Sequence, residues 1–211
     1  MMRLTGAPFV NLTFDEPNTN NLVSVGGALS GTREDLLPGW TINLNGQDYD
    51  GPVGFATQNE GSYPVNVIQN QTGYHLYPYN MLPIGELGFG EQLRPEDLSL
   101  SVRQQGEIPS WATGLEIKEP AESSLGVLIN DKAASRTTIW SDGATVVEAV
   151  SLGPYAGQDV MVEFQYRGMV VGSLDILGFS AIPEPRTAAL LVLGGLALWW
   201  PGRSRSRSRV G

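Results

Sequence analysis

No cysteine occurs in the 211 residues, which removes disulfide frameworks, thiolate zinc sites, iron–sulfur clusters and a cysteine nucleophile together. The single histidine, His75, is poor material for a histidine-built metal site or a catalytic triad. Charged residues are few, at 17%, while 26 Gly and 14 Pro make about a fifth of the chain. Such a composition argues against a helical bundle and for many short strands joined by turns. Cations are scarce over most of the length. Of 13 Lys and Arg, five (Arg186, Arg203, Arg205, Arg207 and Arg209) fall in residues 183–211 beside one acid, Glu184, leaving 8 cations and 21 acids over residues 1–182 and a net charge of −13. A body that acidic disfavours nucleic acid as a partner, because phosphate binding is dominated by Lys and Arg. The sequence also lacks a Gly-x-Ser-x-Gly elbow, a His-Glu-x-x-His pair and a Gly-rich phosphate loop. Paired carboxylates for glycoside hydrolysis could be drawn from the 21 acids in many arbitrary ways. The reading is therefore of a protein that is not an enzyme.

What is present is β-pattern. Short β-branched or alternating runs occur at 65–68, 98–102, 113–117, 126–129, 137–140, 144–150, 159–166 and 173–179, punctuated by Gly, Pro, Asn and Asp. In 160–166 the residues Val160, Val162, Phe164 and Tyr166 fall on one face, with Met161, Glu163 and Gln165 on the other, as a sandwich strand requires. No helical period of comparable clarity precedes residue 186, and no internal repeat is found. The expectation is an all-β, antiparallel sandwich over residues 1–182, followed by one C-terminal hydrophobic helix.

The last 29 residues are the most informative. Pro183-Glu184-Pro185 and Arg186 precede an uncharged run from Thr187 to Gly202, and then Arg203, Arg205, Arg207 and Arg209 alternate with serines. Sixteen residues make a helix of about 24 Å, somewhat short of the roughly 30 Å hydrocarbon layer. Flanking Arg side chains can snorkel across part of that deficit. Trp199 and Trp200 stand where an interfacial aromatic belt would lie. The basic tail would stay cytoplasmic as a membrane stop, so residues 1–182 should face outward. The competing readings are a buried core helix and a short RNA-binding Arg-Ser tail.

The ordered triple of Pro-Glu-Pro, apolar helix and Arg cluster resembles the PEP-CTERM sorting signal of Gram-negative bacteria. That resemblance assigns residues 183–211 to sorting, with Pro183, Glu184 and Pro185 as the motif. It implies an exosortase partner, an inner-membrane precursor held by the helix at about 187–202, and release to the cell surface or extracellular matrix. The prolines also hold the segment extended, which suits a protease at the membrane face. Export normally needs an N-terminal signal, and residues 1–8 contain no apolar h-region, so a leader upstream of Met1 is expected.

Several phrases of the body resemble the galactose-binding-like jelly-roll domains that often precede this signal. Phe9–Asp15 looks like an opening strand and Leu37-Pro-Gly-Trp40 like the lead-in to the next. Gln104–Trp111 resembles a glutamine, glycine and proline turn, Leu152–Gln158 a loop before an alternating strand, and Ser173–Phe179 a closing strand. The resemblance implies a structural calcium between first and last strands, at the matching Asp15 and Asp175. Calcium takes six to eight oxygens, to which two carboxylates and backbone carbonyls could contribute. The competing reading for both acids is solvated strand ends. Tyr74, Tyr77, Tyr79 and Trp111 could form an aromatic platform for a sugar, assisted by Asn70, Gln71 and His75; the alternative is packing. Extracellular polysaccharide is thus an expected partner of a non-enzymatic surface protein, and a carbohydrate-binding module of the galactose-binding-like type is the alternative reading.

Overall fold

The computed structural model describes residues 7–25, 27–57, 63–70, 73–78, 99–167 and 173–181. The sorting motif, Arg186, the apolar run, the Arg tail, Tyr79 and Gln71 lie outside these residues.

In chain order the described strands are β1 (Val23–Val25), β2 (Ala28–Gly31), β3 (Thr41–Leu44), β4 (Gln47–Asp48), β5 (Val53–Ala56), β6 (Val65–Asn70), β7 (Gly73–Pro78), β8 (Ser99–Glu107), β9 (Gly114–Pro120), β10 (Gly126–Ile129), β11 (Lys132–Ala133), β12 (Arg136–Ser141), β13 (Thr145–Ser151), β14 (Asp159–Arg167) and β15 (Asp175–Ser180). One turn of helix, α1 (Arg33–Leu36), precedes β3 and is capped by Thr32, whose hydroxyl accepts from the Asp35 amide. Three sheets result, ordered β1-β2-β5-β6-β7, β11-β10-β14-β8-β3-β4 and β12-β13-β9-β15. Every pairing is antiparallel except β5 with β6.

The six-stranded sheet follows from period-2 sequence. Along β8 and β14 apolar or small residues alternate inward, with buried Gln104 of β8 the polar exception, and Leu100, Val102, Val162 and Phe164 are each at most 1% exposed. Their faces meet those of the other two sheets in one core, which Ile117 and Ile176 join from one side and Val53, Val67 and Leu76 from another. The four- and five-stranded sheets are stitched by an isolated antiparallel bridge between Leu76 and Leu174, with N–O distances of 3.1 and 2.8 Å. The architecture is an all-β, antiparallel-rich sandwich. After β8 the chain alternates layers, so that β14 lies between β10 and β8, and β9 between β13 and β15.

All eight runs read as strands form strands or parts of them. The Phe9–Asp15 expectation is corrected: these residues form a turn, with positive φ at Asn11 (50°) and Phe14 (62°). Asn11 explains it. Its carbonyl accepts from the Phe14 amide at 3.2 Å and from the Trp40 indole at 3.0 Å, while its side-chain oxygen accepts from the Glu16 amide at 2.8 Å. Left-handed backbone costs about 1–2 kcal/mol at a non-glycine residue, and Phe14 offsets it by complete burial against Trp40, ring centroids 5.1 Å apart. The Leu37–Trp40 segment does lead into β3. Gln104–Glu107 extends β8, and the turn follows at Pro109.

Candidate functional site

Three polar constellations stand out among the described residues. The first lies at the stitch between sheets. Asp175 opens β15 in register with Lys118 of β9, so both side chains project from the same face. One Asp175 oxygen contacts His75 Nδ1 and the other lies 3.6 Å from the Lys118 ammonium. The His75 and Asp175 side chains are nearly buried, whereas Lys118 is 41% exposed. This cluster ties β7, β9 and β15 where the backbone ladder is reduced to a single bridge.

That arrangement bears on the calcium expectation. A calcium shell is built of oxygens, but an imidazole nitrogen and an ammonium occupy the two faces of Asp175. Asp15 is exposed, near the start of β7, 3.7 Å from the point where a side chain at Gly73 would begin. Among the described residues no three acidic, histidine or cysteine side chains gather as metal ligands. The donor set around Asp175 does not fit calcium.

The second constellation lies at the same end of β9 but on its inward face, one residue on from Lys118. Arg136 of β12 donates to Glu119 at 2.6 Å and lies 3.1 Å from Glu148 of β13. Glu119 is 4% exposed. Burial pushes its carboxyl above the usual range, against bonding to Ser123 and the pull of Arg136, with the Glu148 charge adding to the rise. Tyr166 reaches this region from β14. Burial first, and then the negative charges of Glu119 and Asp175, hold its phenol well above its ordinary value. One cation serving two carboxylates is an arrangement for closing a sandwich edge.

The third is a groove of about 250 Å³ on the outer face of the six-stranded sheet, lined by Asn43, Ser99, Ser101, Arg103, Glu163, Gln165 and Arg167 among others. Cross-strand register explains its shape. Asn43, Ser101 and Gln165 form one row across β3, β8 and β14, with Ser99 opposite Arg167 on one side and Arg103 opposite Glu163 on the other. Short serine side chains form the floor, and longer ones stand around them. Arg103 lies 3.2 Å from Asp48, and Gln165 donates to Glu163 at 3.0 Å. The Arg167 guanidinium makes no ion pair with a described residue.

The expected aromatic platform is not assembled by the residues the structure describes. Tyr74 and Tyr77 are three apart on β7 and so lie on opposite faces. Tyr74 turns toward the core, its ring centroid 6.5 Å from that of Phe55, while Tyr77 is 5% exposed on the other face. Trp111 is 59% exposed, but sits in the connection between β8 and β9. Asn70 ends β6, and His75 is committed to Asp175. Trp40 is core, 2% exposed.

Sequence reasoning passed over Arg136, Glu119, Glu148 and the groove. The outward alternation Ser99, Ser101, Arg103 and Glu163, Gln165, Arg167 was legible as a polar face; that β8 and β14 are neighbours was not.

Fold and site together define a β-sandwich with a polar, sheet-face groove, a sheet seam tied by the His75–Asp175 contact and a buried Arg136–carboxylate cluster within the four-stranded sheet. Searches against family models, curated proteins and solved structures gave no match.

Proposed function

We propose that the chain is an exported, non-enzymatic surface protein of a Gram-negative bacterium. Its sandwich is of the galactose-binding-like jelly-roll kind and is handed by its C-terminal segment to an exosortase in the inner membrane. The observation that carries this reading is the ordered Pro183-Glu184-Pro185, apolar run and Arg tail, starting three residues after β15 ends at Ser180. The body thus closes its last strand, and in the sequence the Pro-Glu-Pro motif follows at once. The layer-to-layer alternation after β8 supports the jelly-roll assignment. In a host with an exosortase, intact-mass analysis should find a mature extracellular form lacking Trp199 and the Arg tail. A mature form retaining Arg209 would overturn the reading.

A second reading is a module that associates with extracellular polysaccharide. It is favoured by the groove over β3, β8 and β14, whose hydroxyls, amides and guanidinium groups are the kind that bind sugar hydroxyls. A glycan-binding panel tests it, with retention of at least one polysaccharide expected.

A further inference from the structure

We propose that the groove on the outer face of the six-stranded sheet binds a carboxylate-bearing polysaccharide, with Arg167 taking the carboxylate and Ser99, Ser101 and Gln165 the hydroxyls. This rests on the second reading above and names its ligand class.

Four observations carry it. The groove has depth because two serines and Gly46 line it between taller neighbours, and its volume of about 250 Å³ accommodates one sugar ring with its substituents. The hydroxyls of Ser99 and Ser101 make no hydrogen bond with a described side chain, and Gln165, having given an amide hydrogen to Glu163, keeps a carbonyl oxygen that can accept. The lining has no exposed aromatic ring, so recognition there is by hydrogen bonds rather than stacking. The fourth observation sets the charge of the ligand. Arg103 is flanked by Asp48 and sits in register with Glu163, so its charge is locally balanced. Arg167 is exposed and faces Ser99 in register, with no acid of the described residues paired to it. A planar guanidinium matches a carboxylate with two parallel hydrogen bonds.

Residues 1–182 carry a net charge of −13, which opposes a polyanion at long range. At about 0.15 M salt the Debye length is about 8 Å, so distant acids are screened while the contact between Arg167 and a carboxylate persists. The groove is therefore expected to work at physiological salt and to weaken in dilute buffer.

The test uses the full chain in mild detergent, in a background where Arg203, Arg205, Arg207 and Arg209 are changed to Gln so that the basic tail does not capture the probe. Polygalacturonate and dextran are compared by affinity electrophoresis at about 0.15 M salt. Polygalacturonate should bind about tenfold more tightly than dextran, and Arg167→Gln should lower its affinity by about tenfold, the scale of one charge-assisted hydrogen bond. Ser101→Trp, which fills the floor, should abolish binding of both, with unchanged melting temperatures showing that the variants fold. Polygalacturonate binding untouched by both changes would overturn the groove and leave the polysaccharide reading standing. Equal binding of dextran, indifferent to Arg167→Gln, would overturn the acidic ligand. No binding of either probe would overturn the groove and the polysaccharide reading together.

Discussion

Arg136 shows how much rests on one side chain. It is 27% exposed and holds two carboxylates that are 4% and 15% exposed. Arg136→Met would leave both acids buried and unpaired, costing on the order of 3 kcal/mol, to be read as a lower urea midpoint. Glu119 adds a pH signature of definite sign. Its folded-state carboxyl is raised, chiefly by burial, so between its unfolded and folded values the native state binds more protons than the unfolded one, and stability falls as pH rises through that window. Glu119→Gln removes this dependence. Melting curves across acid to neutral pH should therefore converge at low pH and favour the variant progressively above the ordinary glutamate range. At Asp175 the expectation concerns metal. Because its oxygens face His75 and Lys118, the melting temperature should be the same in chelator and in millimolar calcium. A rise of several degrees would return Asp15 and Asp175 to the role that the resemblance implied.

Among the elements, the N-terminal segment is held by unusual means. It joins no sheet. Its fixings are the Glu107 amide donating to the Ala7 carbonyl at 2.9 Å, the Asn11 turn around Trp40, and Phe9 lying against Phe179 with ring centroids 5.8 Å apart. Gly106 is what lets Phe9 approach β8, since a Cβ there would stand 2.6 Å from the Phe9 ring. Gly106→Ala should displace that ring and cost about 1–3 kcal/mol by overpacking. In a double-mutant cycle with Phe9→Ala the two losses should fall short of additivity, and full additivity would show that the ring is not what the alanine meets. The hairpins are more conventional. Asn45-Gly46 and Asn130-Asp131 have positive φ at both positions, the conformation that two-residue turns need to follow strand twist. Both were readable as turn signals, although β4 and β11 are only two residues long.

For the whole molecule, the proposed processing would change charge as well as length. Loss of the four tail arginines takes the chain from a net −9 to −13, so the mature form should migrate further toward the anode in a native gel as well as showing the reduced mass. Glu184→Ala or Pro185→Ala should leave the precursor in the membrane fraction with its full mass. Release at an unchanged rate in both variants would count against the motif. The acidic product would be self-repelling, and its charge would confine attraction for an acidic polymer to local cationic groups such as Arg167 at the groove.

Sequence alone determined the β class, the eight strongest strands and the inward face of β14, because period-2 alternation is local and the core needs it. It also marked the C-terminal segment, whose three parts are contiguous. Short β1, β2, β4 and β11 left little periodic signal, and β5 and β7 are buried on both faces or mixed, so alternation did not mark them. Only the tertiary structure decided which strands are neighbours. His75 meets Asp175 across 100 residues, and Arg167 stands opposite Ser99 across β8 and β14. Such pairings are set by how sheets share one core, a sum over many side chains, and no short window of sequence contains it. For the same reason Phe9–Asp15, strand-like in pattern, became a turn once Trp40 needed the Asn11 carbonyl for its indole hydrogen.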